Sequence, residues 1–126
     1  MSRSGYGDSS GPFDLYRQAV AQAMRGVRGQ RFFKEALQAL DALPRPRLIR
    51  GELTDGGEFC LLGAVAEARG LEVPEDAEPD QLGRLLDIAP SLAAEIMFMN
   101  DDAGYVETPE QRFSRVYAWV ESEIIL

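Results

Sequence analysis

The stretch NDDAGYVETPE gathers the side-chain oxygens of Asn100, Asp101, Asp102, Glu107 and Glu110 around a glycine. An oxygen-rich loop of this kind invites calcium, a hard cation that takes carboxylate and carbonyl ligands. The spacing does not follow the EF-hand loop, because with Asn100 as first ligand the closing glutamate position falls on Gln111. A solvated loop that helps to start the next helix is the plainer expectation. Paired carboxylates also carry out acid–base chemistry, as in glycoside hydrolysis. Nothing in the spacing singles out one pair among the seventeen carboxylates that follow Gly51, and the chain has one tryptophan and four tyrosines to serve as sugar platforms. No metal and no cofactor is expected.

Histidine is absent. Its absence removes the commonest general base at neutral pH, the Ser-His and Cys-His nucleophile pairs and the usual zinc ligand. An enzyme built on this chain would have to work with carboxylates, arginine, tyrosine or the lone lysine, Lys34. The single cysteine, Cys60, lies in the apolar run FCLLGAV and reads as a core residue, since a reactive thiol needs exposure and a basic neighbourhood. It cannot form a disulfide within the chain, in keeping with a reducing compartment. The expectation is a protein that is not an enzyme.

Charge is divided unevenly. Through Arg50, nine basic residues face four acidic ones, a balance of +5; from Gly51 onward four arginines face seventeen carboxylates, a balance of −13, and the whole carries −8. Such asymmetry speaks to partners rather than to fold. In RGVRGQRFFK, Arg25, Arg28, Arg31 and Lys34 recur every three residues across a helix junction, where they would hold phosphate beside the amides of a helix start. The net charge opposes tight nonspecific DNA binding, so direct nucleic-acid binding is the alternative expectation. The acidic part offers two groups: Asp101, Asp102, Glu107 and Glu110, then Glu75, Asp76, Glu78 and Asp80. Their carboxylates would take the place of nucleic-acid phosphates on a basic protein surface.

The elements that must position these groups are read from periodicity and caps. A chain of 126 residues, 45% hydrophobic and 27% charged, fits one soluble globular domain with its own core. No apolar run reaches the roughly 18 residues of a membrane span, and MSRSGYGDSSGPF lacks the apolar stretch of a signal peptide. Residues 1–12 read as a flexible arm, followed by a single helical domain over 13–126. The first helix is expected to begin near Pro12 to Asp14 and to run to about Arg25, with a stripe of Leu15, Ala19, Val20 and Ala23. After a loop GVRG, the second is expected over 30–43, burying Phe32, Phe33, Ala36, Leu37 and Leu40 before Pro44 and Pro46 stop it.

Glycines in Asp55-Gly56-Gly57 predict a small β-hairpin near residues 48–61, which runs into a third helix ending at Gly70. A short helix follows with Asp80 as N-cap and Leu82, Leu85 and Leu86 as its apolar face. Another opens at Ala89-Pro90 and runs through SLAAEIMFMND with nearly all its apolar residues buried. Thr108, Pro109 and Gln111 form a capping box for a last helix reaching about Ile124. Trp119 and Ile125 fall outside its stripe of Phe113, Val116, Tyr117, Val120 and Ile124, and either broaden the core face or meet a partner. The expected fold is mainly α: a compact single-domain bundle of about five or six helices with one small hairpin.

Four blocks carry a resemblance: Arg25 to Phe32 (RG-x-RGQ-x-F), Cys60 to Gly70 (C-x-LGAV-x-x-ARG), Met99 to Asp101 (MND) and Glu107 to Phe113 (ETPE-x-R-F). With these the chain, over roughly residues 14–124, resembles a family of small proteins encoded by bacteriophages and prophages of Gram-negative bacteria. The resemblance implies an association with phage genomes and no reaction, so no active-site residue comes with it. By analogy of source and size, it implies an accessory protein that occupies a host macromolecule, most concretely an anti-CRISPR or other anti-defence inhibitor acting on a basic nucleic-acid-binding component. The expected location is the bacterial host cytoplasm, with no membrane partner. A structural or oligomeric phage component is a further alternative, with Trp119 and Ile125 at its interface; monomer and homodimer stay open.

Overall fold

Between Arg25 and Val27 a single glycine turns the chain from one helix into the next. In the computed structural model, which describes residues 12–103 and 106–125, the order is α1 (Pro12–Arg25), α2 (Val27–Asp41), β1 (Thr54–Asp55), β2 (Glu58–Phe59), α3 (Leu61–Ala68), α4 (Pro79–Leu86), α5 (Pro90–Asp101) and α6 (Pro109–Glu123). Among the described residues the protein is thus a mainly helical domain with six helices and one small antiparallel sheet. The expected arm lies outside the described residues up to residue 11, and Pro12 already belongs to α1. No helix among the described residues is long and apolar enough to cross a membrane.

The second helix starts at Val27, three residues ahead of its expected start. Gly26 donates its N–H to Gln22 O at 3.0 Å, and its own carbonyl accepts from Gln30 N at 2.9 Å, so the break lasts one residue. Gly29 is helical and buried because α1 passes directly over it: a Cβ there would lie 1.9 Å from the Ala23 carbonyl oxygen. The glycine serves close helix approach, not a loop. In α1 Val20 is buried and Ala23 and Met24 pack against the core, whereas Leu15 is 66% exposed.

The core forms around α3. All of Leu61, Leu62, Gly63, Ala64, Val65 and Ala66 are buried, so this helix is apolar on every side through its first six residues. The α2 residues Phe32, Phe33, Ala36 and Leu40 pack in the same core, with Leu82 and Leu86 of α4, Leu92 and Ile96 of α5, and Val116 and Val120 of α6. Trp119 joins them by an edge-on contact with Phe33, ring centroids 5.5 Å apart. Ile125 remains 55% exposed, and Phe98 of α5, expected inside, is 48% exposed.

The hairpin is shorter than its apolar flanks suggest. Thr54 pairs with Phe59 and Asp55 with Glu58, while Gly56 and Gly57 take φ of 59° and 85°, the positive values that a tight hairpin turn requires. The preceding residues 48–53 form a strap across the fold: Leu48 N donates to Pro109 O at 3.1 Å, Ile49 N to Phe59 O at 2.9 Å, and Cys60 N to Leu53 O at 3.1 Å. Gly63 lets this strap lie on α3, since a Cβ there would sit 1.9 Å from Leu53 O. At α4 the N-cap is Glu78 instead of Asp80. Pro79 fits the first helical position, and the Gln81 side chain accepts from Glu78 N at 3.3 Å. Asp80 then falls in the first turn, where the helix dipole favours an acid.

Candidate functional site

The acidic loop after α5 is held by residues that the charge pattern does not announce. Asn100 is 2% exposed. Its Oδ1 accepts from Leu61 N at 3.1 Å, and its Nδ2 donates to Ile49 O at 2.9 Å and to Asp101 Oδ1 at 2.7 Å. One side chain thereby joins the last turn of α5, the start of α3 and the strap. Asp101 Oδ1 also accepts from Gly51 N at 3.2 Å. Arg115 of α6 donates to the carbonyls of Met99 and Asn100, two of the acceptors that the end of α5 leaves without helical partners.

Glu107 sits between two arginines. Its carboxylate accepts from Arg115 Nη2 at 2.6 Å and Nε at 3.0 Å, and lies 3.3 Å from Arg112 Nε, with its side chain only 11% exposed. The hydrogen bonds from Arg115, reinforced by the positive charges of Arg115 and Arg112, hold its carboxyl below the usual carboxylate range despite burial. Arg112 is buried and donates Nη1 to Leu48 O at 3.0 Å; its Nε makes an ion pair with Glu107 without an aligned hydrogen bond. The other two acids of the group face outward: Asp102 is 3.9 Å from Arg50 and Glu110 is 2.9 Å from Arg47, with side chains 61% and 52% exposed.

The second acidic group has a different setting. Between α3 and α4 the chain runs as an irregular segment in which Ala77 is buried and its N–H donates to Pro74 O at 3.1 Å. Around that anchor Glu75, Asp76, Glu78 and Asp80 are all exposed, as is Glu72, and none of them enters an ion pair among the described residues.

A pocket of about 60 Å³ brings Glu75 to the same rim as Glu52 and Asp101, over a floor that includes Leu53, Leu62, Ile96 and Met97. This is well below the several hundred cubic ångströms of a typical small-molecule site. Cys60 also lines it, but burial pushes its thiol up to about 11, and its Sγ accepts from Gly63 N at 3.4 Å. The thiol is protonated at neutral pH and acts as a helix cap. Among the described residues, no group of three or more His, Cys, Asp or Glu side chains is placed to hold a metal ion.

No family model, curated protein or solved structure matches the chain.

The basic residues of the first two helices are all exposed, so Arg25, Arg28, Arg31 and Lys34 line the solvent side of the α1–α2 junction. Arg28 pairs with Asp87 at 3.2 Å, with both side chains more than half exposed, and such a pair is weak. Arg31 adds its charge to the stronger contact beside it, in which Arg69 grips Glu35 at 2.7 and 2.6 Å and lowers its carboxyl. The sequence pattern missed Asn100, Arg112 and Arg115 as organising residues. One signal was present: Leu92, Ile96 and Asn100 recur at four-residue spacing, so the asparagine occupies the buried stripe.

Proposed function

We propose that the chain is a non-catalytic accessory protein of phage or prophage origin that binds a basic host protein through exposed carboxylates. Its most concrete form is an anti-CRISPR or other anti-defence inhibitor that covers a nucleic-acid-binding surface. One observation carries the reading: Glu75, Asp76, Glu78 and Asp80 project from one short segment with no ion pair among the described residues, while Asp101 and Glu107 are engaged inside the fold. Asp102, exposed and 3.9 Å from Arg50, extends the acidic surface, whereas Glu110 is exposed but bonded by Arg47 at 2.9 Å. Carboxylates already solvated and mutually close attract a basic surface at long range, speed encounter and make binding sensitive to salt.

The test is capture of partners by the tagged protein from a Gram-negative bacterial lysate at low salt after nuclease treatment, read by mass spectrometry. A basic nucleic-acid-handling protein supports the proposal, and a CRISPR component would define its target. A second reading, direct nucleic-acid binding, draws on the exposed Arg25, Arg31 and Lys34, which enter no ion pair among the described residues. It predicts DNA or RNA binding that weakens with salt and falls when Arg25, Arg28, Arg31 and Lys34 are changed to alanine.

A further inference from the structure

An open groove of about 540 Å³ runs between the end of α2 and α6, a volume in the range of sites that hold a ligand or an anchoring side chain. Its walls have two characters. Leu40, Leu43 and Pro46 supply an aliphatic side. Opposite them, Phe113 and Tyr117 stand one turn apart on α6, ring centroids 5.6 Å apart and planes inclined by 34°. Two carboxylates border the rings, Asp41 and Glu121, and among the described residues no basic one lines the groove. The arginines that flank Pro46 are engaged elsewhere: Arg45 pairs with Glu58 at 2.7 Å, and Arg47 with Glu58 and Glu110 at 3.3 and 2.9 Å. Asp41 Oδ1 accepts from the Tyr117 hydroxyl at 2.8 Å, which fixes the ring beside the acid.

We propose that this groove binds an arginine side chain of a partner protein. The guanidinium stacks on Phe113 and Tyr117 between Asp41 and Glu121, and its aliphatic stem lies along Leu40, Leu43 and Pro46. Arginine fits better than lysine because its planar, weakly hydrated cation stacks on rings and meets a carboxylate through two parallel hydrogen bonds, whereas an ammonium does neither as well. The inference rests on the reading of the chain as a binder of basic proteins. It adds a residue-selective contact to an acidic segment that attracts any positive charge.

The test is an NMR titration of the full chain with the peptide acetyl-Gly-Arg-Gly-Arg-Gly-amide and with its lysine counterpart. The expected result is amide shifts centred on Leu43, Phe113 and Tyr117, with the arginine peptide bound about fivefold more tightly. Tyr117→Leu should abolish that preference while Tyr117→Phe retains it, and Asp41→Asn with Glu121→Gln should weaken both peptides. Thermal melts of each variant show that the fold is kept. Shifts confined to residues 72–80 with equal affinity for the two peptides would overturn the groove and leave the acidic-segment proposal standing. Binding that ignores Tyr117→Leu, or no binding at all, would overturn it as well, while the proposal on the acidic segment is judged separately by capture of a protein partner.

Discussion

Arg115 holds Glu107 through two hydrogen bonds of 2.6 and 3.0 Å, so an acid that the charge pattern offers to a partner is engaged within the fold. The same guanidinium bonds the carbonyls of Met99 and Asn100, which ties α6 to the end of α5. Net charge therefore does not count the carboxylates available for binding. What remains for a partner is set by which acids lack an internal cation, and among the described residues Glu75, Asp76, Glu78 and Asp80 meet that condition together, close in sequence around the start of α4.

The Glu107 pair predicts a pH dependence of stability. Its folded pKa is depressed, so the contribution is complete above the ordinary carboxylate value of 4.5 and is lost as pH falls through the lower folded value. Glu35, lowered by Arg69, adds a contribution of the same sign. Glu107→Gln should lower stability at pH 7 by about 3 kcal/mol, because it leaves Arg112 buried without its anion. It should also flatten the acid limb. Urea denaturation from pH 7 to pH 3 measures both.

Asn100→Ala removes the partner of Leu61 N and of Ile49 O in one step. The expected loss is about 3 kcal/mol, since groups within the fold are left unpaired and the strap loses its hold on α5. Equilibrium unfolding in urea should show a lower midpoint with an unchanged slope.

Two glycines separate a steric requirement from a conformational one. Gly63→Ala sets a Cβ against Leu53 O and should cost on the order of 3 kcal/mol, because the strap cannot move off α3 without breaking its own bonds. Gly70→Ala meets nothing within 4 Å but has φ of 69°, so it should cost about 1 kcal/mol. Thermal melts of the two variants give the contrast directly.

The elements that local chemistry dictates were legible in the sequence. Thr108, Pro109 and Gln111 announce α6, and the structure shows their reciprocal cap: Gln111 N donates to Thr108 Oγ1 at 3.1 Å, and Thr108 N donates to Gln111 Oε1 at 2.8 Å. The buried face of α2 follows from apolar spacing, whereas α3 is buried on every side and its spacing marks only part of its core contact. Features that depend on a distant segment were not legible. Gly29 resembles a loop glycine until α1 is seen lying on it, and Glu107 resembles a surface acid until Arg112 and Arg115 are turned toward it by the next helix. The acids at 75–80 stayed outward because only Ala77 in that stretch reaches the core.

Cys60 should be unreactive in the folded protein. With its thiol near 11, about one molecule in a thousand is thiolate at pH 8, and burial shields even that fraction. A thiol-specific chromogenic reagent should label it slowly in buffer and stoichiometrically in urea; rapid labelling of the native chain would contradict the helix-cap assignment.

The most direct measurement compares capture by the wild-type chain and by the variant Glu75→Gln, Asp76→Asn, Glu78→Gln, Asp80→Asn, side by side from nuclease-treated bacterial lysate over a salt series. The expected result is a basic protein retained by the wild type, released as salt rises, and lost in the variant while both chains melt at similar temperatures. Retention of the same protein by the variant, or no basic protein retained by the wild type, would contradict the claim that these carboxylates are the binding surface.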